Sequence, residues 1–122
     1  MTKFSWNVKK SSKKNNARTG EILTPHGKIY TPAFIFCATK ASLKSFSTVE
    51  AKKNNTQIIL SNTYHLMLQP GGELIANHGG LHKFMNWEGP MLTDSGGFQI
   101  FSLGHGSVAD EIKGRSNTIK NK

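Results

Sequence analysis

The chain has 122 residues, 36% of them hydrophobic and 19% charged. That is the composition of a folded domain or part of one, not of a disordered tail. A single cysteine, Cys37, excludes an internal disulfide and a CxxC zinc site, and it fits a reducing compartment, most simply the cytoplasm. The longest apolar run, Ala33 to Ala38, is far short of the roughly 20 residues that span a bilayer, so no membrane partner is expected. No signal-peptide apolar region follows the basic N-terminus, and residues 1–17 lack the Arg-rich amphipathic pattern of a transit peptide.

The net charge of +9 is concentrated at the two ends. Residues 1–17 hold Lys3, Lys9, Lys10, Lys13 and Lys14 and no acid, residues 18–112 balance seven basic against seven acidic groups, and residues 113–122 add Lys113, Arg115, Lys120 and Lys122. A neutral body with basic ends suits a polyanion such as RNA. Solubilising tails, or the lysine-rich and asparagine-rich bias of an A/T-rich genome, account for the same pattern.

In chain order, Phe4, Trp6 and Val8 alternate with polar residues and predict a half-buried strand. Residues 9–16 read as a polar loop. Residues 18–23 and 28–31 read as two further strands around a turn at Pro25-His26-Gly27, together a small antiparallel meander closed by Pro32. Residues 33–37 form a short apolar run, the pattern of a strand buried on both faces. Ser47-Thr48-Val49-Glu50 is a capping-box sequence that opens a helix to about Lys53. Residues 57–61 predict a second buried strand, 62–72 a loop, 73–78 a helix stopped by Gly79-Gly80, and 91–93 a third buried strand. Strand, helix, strand, helix, strand argues for a parallel α/β sheet. The domain organisation expected is an N-terminal antiparallel sheet over 1–32, the first βα units of a barrel over 33–104, and a basic tail over 105–122.

In such sheets the loops at the carboxyl ends of the strands build the active site, which points to loops 38–46, 62–72 and 94–104. Asp94-Ser95-Gly96-Gly97 admits two functional readings. As a serine nucleophile it is out of place, because DSGG-bearing proteases are long all-β double barrels. As a carboxylate at a strand end followed by two glycines, it lets a flat ligand approach closely, with glycine amides available to an anion. An ordinary turn remains the bland alternative. Asn62-Thr63-Tyr64-His65 offers hydrogen bonds to a ligand and is equally ordinary turn chemistry. His78 and His82 have helical metal-ligand spacing, but Gly79-Gly80 breaks the helix between them. Cys37, Phe34, Phe36, Phe84, Trp87 and Phe101 read as core, and Phe98 as a platform that can lie over a base. No phosphate-loop or dinucleotide fingerprint is present.

Six strings occur in a fixed order: Ala17-Arg18-Thr19-Gly20, Thr24-Pro25-His26-Gly27, Thr31-Pro32-Ala33-Phe34, Asn62-Thr63-Tyr64-His65-Leu66, Gly79-Gly80-Leu81-His82-Lys83-Phe84-Met85 and Leu92-Thr93-Asp94-Ser95-Gly96-Gly97-Phe98-Gln99. As a set, over about residues 4–103, they resemble the N-terminal third of bacterial-type tRNA-guanine transglycosylase, also called queuine tRNA-ribosyltransferase. The resemblance implies an α/β fold, the N-terminal part of a (β/α)8 barrel preceded by a small antiparallel β-sheet. It implies a cytoplasmic, homodimeric pentosyltransferase of queuosine biosynthesis. The enzyme exchanges the wobble guanine of tRNAs for Asp, Asn, His and Tyr against a 7-deazaguanine, either 7-aminomethyl-7-deazaguanine or queuine. By the same match Asp94 is the general acid/base and grips the base edge, Ser95, Gly96, Gly97 and Phe98 line the base pocket, and Asn62 contributes. Phe36-Cys37-Ala38-Thr39 replaces a Pro-Val-Gly-Thr common in the family, which reshapes one pocket wall. The family's nucleophilic aspartate and its Cys/His zinc ligands fall beyond Lys122, and residues 117–122 resemble nothing in it. The expectation is therefore an N-terminal portion that is inactive alone, with a non-catalytic remnant or a basic RNA-binding module as the alternative.

Overall fold

The computed structural model describes residues 4–104. The expected basic tail at 105–122 lies outside them. Three strands come first: β1 (Ser5–Ser11), β2 (Arg18–Thr24) and β3 (Gly27–Thr31), paired antiparallel in the order β1-β2-β3. This is the meander expected from the sequence, with β1 running further into the basic segment. The Trp6 ring lies directly over Gly20, where any side chain would collide with it. The alternation over Phe4, Trp6 and Val8 marks a strand, but all three side chains stay largely exposed, because nothing among the described residues covers that edge.

A parallel sheet comes next: β4 (Ile35–Cys37), β5 (Ile58–Ser61) and β6 (Met91–Thr93), in the order β4-β5-β6. Helix α1 (Thr48–Lys53) links β4 to β5. It carries the complete capping box: the Ser47 side chain accepts from the Glu50 N–H while Glu50 reaches back to the Ser47 N–H. Three short helices, not one, link β5 to β6: α2 (Thr63–Leu68), α3 (Gly72–Asn77) and α4 (Leu81–Met85). A fifth helix, α5 (Gly97–Gly104), succeeds β6.

The segment 62–72 is not the loop expected from its sequence. Asn62 caps α2, its side-chain oxygen accepting from the His65 N–H at 3.0 Å. The same chemistry that suggests a turn starts a helix. Similarly, most of 94–104 is helix rather than loop.

Burial also departs from expectation. Of the three parallel strands described, β5 alone is largely buried, with Ile59 and Ser61 fully enclosed. Among the described residues β4 and β6 each have one neighbour, and nothing there covers their outer edges. Cys37, expected in the core, is exposed. So are Phe34 and Phe101. Trp87 is in the core with Ala38, Leu43, Ala51, Ile59 and Met85, and Phe36 and Phe84 pack against that cluster half-buried.

The two sheets meet at the amino-terminal ends of the parallel strands. Gln57, just before β5, accepts from the Tyr30 N–H at 2.7 Å and donates to the Tyr30 carbonyl at 3.2 Å. Gly27 faces Pro90, just before β6. A cavity of about 780 Å3 opens between these elements.

Candidate active site

The register of β5 and β6 decides where the site forms. Ser61 pairs with Thr93, so the next residues, Asn62 and Asp94, emerge side by side at the carboxyl ends of neighbouring strands. Their side chains meet although they are 32 positions apart: the Asn62 amide nitrogen donates a short hydrogen bond to Asp94 Oδ2. Asp94 Oδ1 accepts the Thr63 N–H at 3.0 Å. Asn62 thus makes two bonds at once, capping α2 with its oxygen and holding Asp94 with its nitrogen. It is buried, whereas Asp94 is half-buried and keeps an open side. Each Asp94 oxygen has accepted one bond and retains a lone pair for a further donor.

The loop after β4 completes the floor. The Ser61 hydroxyl donates to the Ala38 carbonyl at 3.1 Å, and the Asn62 N–H to the Thr39 carbonyl at 3.2 Å. The Ala38-Thr39 pair, where the resembled family commonly has Gly-Thr, therefore touches the residues that position Asp94.

The glycines shape the other side. Gly96 has φ +67 and lies against the first turn of α2; a Cβ there would stand 2.7 Å from Tyr64 Cβ. Its carbonyl accepts the Ile100 N–H and opens α5. The Gly97 N–H donates to Ser95 Oγ at 3.3 Å. Ser95 thus serves as a local turn acceptor, and among the described residues it has no histidine partner to activate it. Phe98 stands in the first turn of α5 and is 67% exposed. The structure accordingly gathers Asn62, Asp94, Ser95, Gly96, Gly97 and Phe98 at one end of the parallel sheet. Sequence reasoning missed the Thr63 N–H and the Tyr64 backbone that supports Gly96; the signal available was the N-cap pattern of Asn62-Thr63-Tyr64-His65. The large cavity lies at the opposite end of the strands and has no part in this site.

The profile of the queuine tRNA-ribosyltransferase family matches residues 12–121. The chain belongs to that family. The match runs past residue 103, into a segment where the residues alone suggested no likeness. Among similar relatives, queuine tRNA-ribosyltransferase of Roseiflexus sp. (strain RS-1) is 60% identical over 104 residues, covering 85% of this chain and 26% of the relative. The protein of the same name from Desulforamulus reducens is 53% identical over 97 residues, covering 80% and 26%, and that from Streptococcus suis 58% over 94 residues, covering 77% and 25%. The chain thus spans about a quarter of the length of these queuine tRNA-ribosyltransferases.

Membership in the queuine tRNA-ribosyltransferase family raises the zinc that the resemblance implies. Among the described residues no three His, Cys, Asp or Glu side chains gather as a metal would require. His78 and His82 are engaged separately, His78 with the Leu74 carbonyl and the Phe84 ring, His82 with the Gly89 carbonyl and the His26 ring. Residues 4–104 do not fit the metal, and no step runs through it. No described helix is long and apolar enough to cross a membrane.

Proposed function

We propose that this chain supplies the base-recognition edge of a tRNA-guanine transglycosylase. The reaction exchanges the wobble guanine of tRNAs for Asp, Asn, His and Tyr for a 7-deazaguanine, within a cytoplasmic, homodimeric (β/α)8-barrel enzyme. The observation that carries the reading is the Asp94 carboxylate, fixed from behind by Asn62 and the Thr63 N–H and open in front. Guanine presents a ring N–H and an amino group side by side, and a carboxylate with one lone pair free on each oxygen accepts both in a fork. As the glycosidic bond breaks or forms, the base gains or loses a proton, and Asp94 is placed to carry it. Asn62 keeps the fork aimed. Gly96 and Gly97 admit the flat base, Ser95 holds the turn, and Phe98 offers a face for it. An unpaired anticodon base is already exposed, so little unstacking opposes binding.

The test is a chimera in which residues 4–104 replace the matching segment of the Roseiflexus relative. Asp94→Asn in this chimera should keep the fold and lose roughly 10²–10⁴-fold in exchange of labelled guanine into tRNA, because the amide cannot take up the proton. Near-normal exchange by the Asn variant refutes the role.

The second reading, a basic RNA-binding module, is favoured by one observation. Lys9, Lys10, Lys13, Lys14 and Arg18 are all exposed on or beside the β1–β2 hairpin, and of these only Lys9 reaches a carboxylate among the described residues, Glu21, at 3.9 Å. The two readings are compatible, since an enzyme acting on tRNA also needs phosphate contacts.

A further inference from the structure

Two histidines from motifs that the candidate site does not use stack on each other. His26 sits at the β2–β3 turn, which is set by the Thr24 hydroxyl: it accepts from the His26 N–H at 3.1 Å and donates to the Gly27 carbonyl at 2.9 Å. His82 is on α4. Their rings lie face to face, centroids 3.7 Å apart and 9° from parallel. His82 Nε2 donates to the Gly89 carbonyl at 3.1 Å, which leaves Nδ1 as the nitrogen that takes a proton. The stack ties the N-terminal sheet to α4, beside the Gln57–Tyr30 bonds and the approach of Gly27 to Pro90. His26 and Gly27 also line the cavity of about 780 Å3 between the two sheets.

We propose that the His26–His82 stack is a pH-sensitive latch: with neutral rings it holds the N-terminal sheet against the parallel sheet, and with both rings protonated it releases that sheet and opens the cavity. Two imidazolium charges cannot stack face to face at this separation without strong repulsion. The surroundings do not compensate. Among the described residues no carboxylate is within ion-pair range of either ring. From β3, Lys28 is engaged with Glu21 at 3.5 Å, and Tyr30 lines the cavity. From α1, Lys52 is paired at 2.8 Å with Glu88, the residue before Gly89. On α4, the Lys83 side chain, ammonium included, lies against Gly79. The half-buried position of His82, and after it the neighbouring His26, hold the His82 imidazole below its ordinary value. A group held lower in the docked state binds its proton better once released. Docking is therefore at full strength above the ordinary histidine value near 6.5, and it weakens as pH falls through that value toward the lower, docked one.

The latch does not depend on the transferase reading. The experiment measures amide hydrogen exchange of the full chain, corrected for the intrinsic rate, at about pH 7.5 and about pH 5.5, either side of the free histidine value. The Tyr30 N–H reports docking, because its partner Gln57 belongs to the other sheet. The expected result is a several-fold loss of Tyr30 protection at the lower pH, with amides of the β1–β2 ladder unchanged. His26→Phe keeps a stacked ring without a second proton site and should leave a clearly smaller pH-dependent loss of Tyr30 protection, the part that comes from the burial of His82; His26→Gln is the alternative if the Phe variant does not fold. Equal Tyr30 protection of the wild type at both values overturns the latch, as does the same loss in either variant.

Discussion

Gly96 shows how one atom governs the candidate site. Its backbone is left-handed at φ +67, and the space where a Cβ would go is taken by the first turn of α2. Gly96→Ala should cost about 1–3 kcal/mol for the strained backbone, and the collision with Tyr64 must shift either α2 or the segment that carries Asp94. Gly72→Ala is the matched control, since no atom lies within 4 Å of its added Cβ and its φ is not positive. It should be neutral or slightly stabilising. Denaturant midpoints of the two variants check the difference; equal midpoints would show that Tyr64 does not hold Gly96. The need for glycine at position 96 is visible in the sequence as a Gly-Gly pair, but the partner is not. Tyr64 is far from Gly96 in the chain, and only the register of β5 against β6 brings the two together.

Among the elements, α1 is legible to the residue because its signal is local. Ser47 and Glu50 are three positions apart and satisfy each other's backbone. Ser47→Ala should weaken the helix by about 1 kcal/mol, the usual worth of an N-cap. The bonds from Ser47, backbone first and hydroxyl second, hold the Glu50 carboxyl below its ordinary value. A lowered carboxylate contributes stability above its unfolded value, near 4.3, and loses it as pH falls through the folded value. The wild-type helix should therefore loosen on acidification below about pH 4.3, whereas Ser47→Ala should show less of that dependence. Exchange of the Ala51 and Asn54 amides, which donate to Ser47 and Glu50, reads both effects. Helix α2 is not legible in the same way, because Asn62 suits a turn as well as a cap and the helix it opens is only six residues long. The exposure of β4 and β6 escapes the sequence for a different reason. Apolar runs report the environment a strand is suited to, and these two strands each have a single neighbour among the described residues.

At the scale of the whole molecule, charge and chemistry are separated. The sheet that bears the lysine-rich hairpin meets the parallel strands at their amino ends, and Asp94 lies at their carboxyl ends. RNA affinity and base recognition should then be separable by mutation. Replacing Lys9, Lys10, Lys13 and Lys14 together by Gln should flatten the dependence of log K on log salt by up to about 3, at roughly 0.7 per phosphate contact on single strands. Asp94→Asn should leave that slope unchanged. Anisotropy titrations with an unmodified tRNA anticodon stem-loop check both, and an unchanged slope in the lysine variant would leave these residues as solubilising groups. The overall order of elements is readable from the alternation of strand and helix patterns. The meeting of the two sheets is not, since it depends on one glutamine side chain and one turn.

That glutamine has a consequence for self-association. Strand β3 is the outer member of its sheet, and its free backbone groups could template pairing with another chain. The Gln57 side chain accepts from the Tyr30 N–H and donates to the Tyr30 carbonyl, as one residue of a neighbouring strand would. It acts as a phantom strand one residue long. The edge is thereby blunted without a further strand, and the contact that docks the N-terminal sheet also guards it against growing into a fibre.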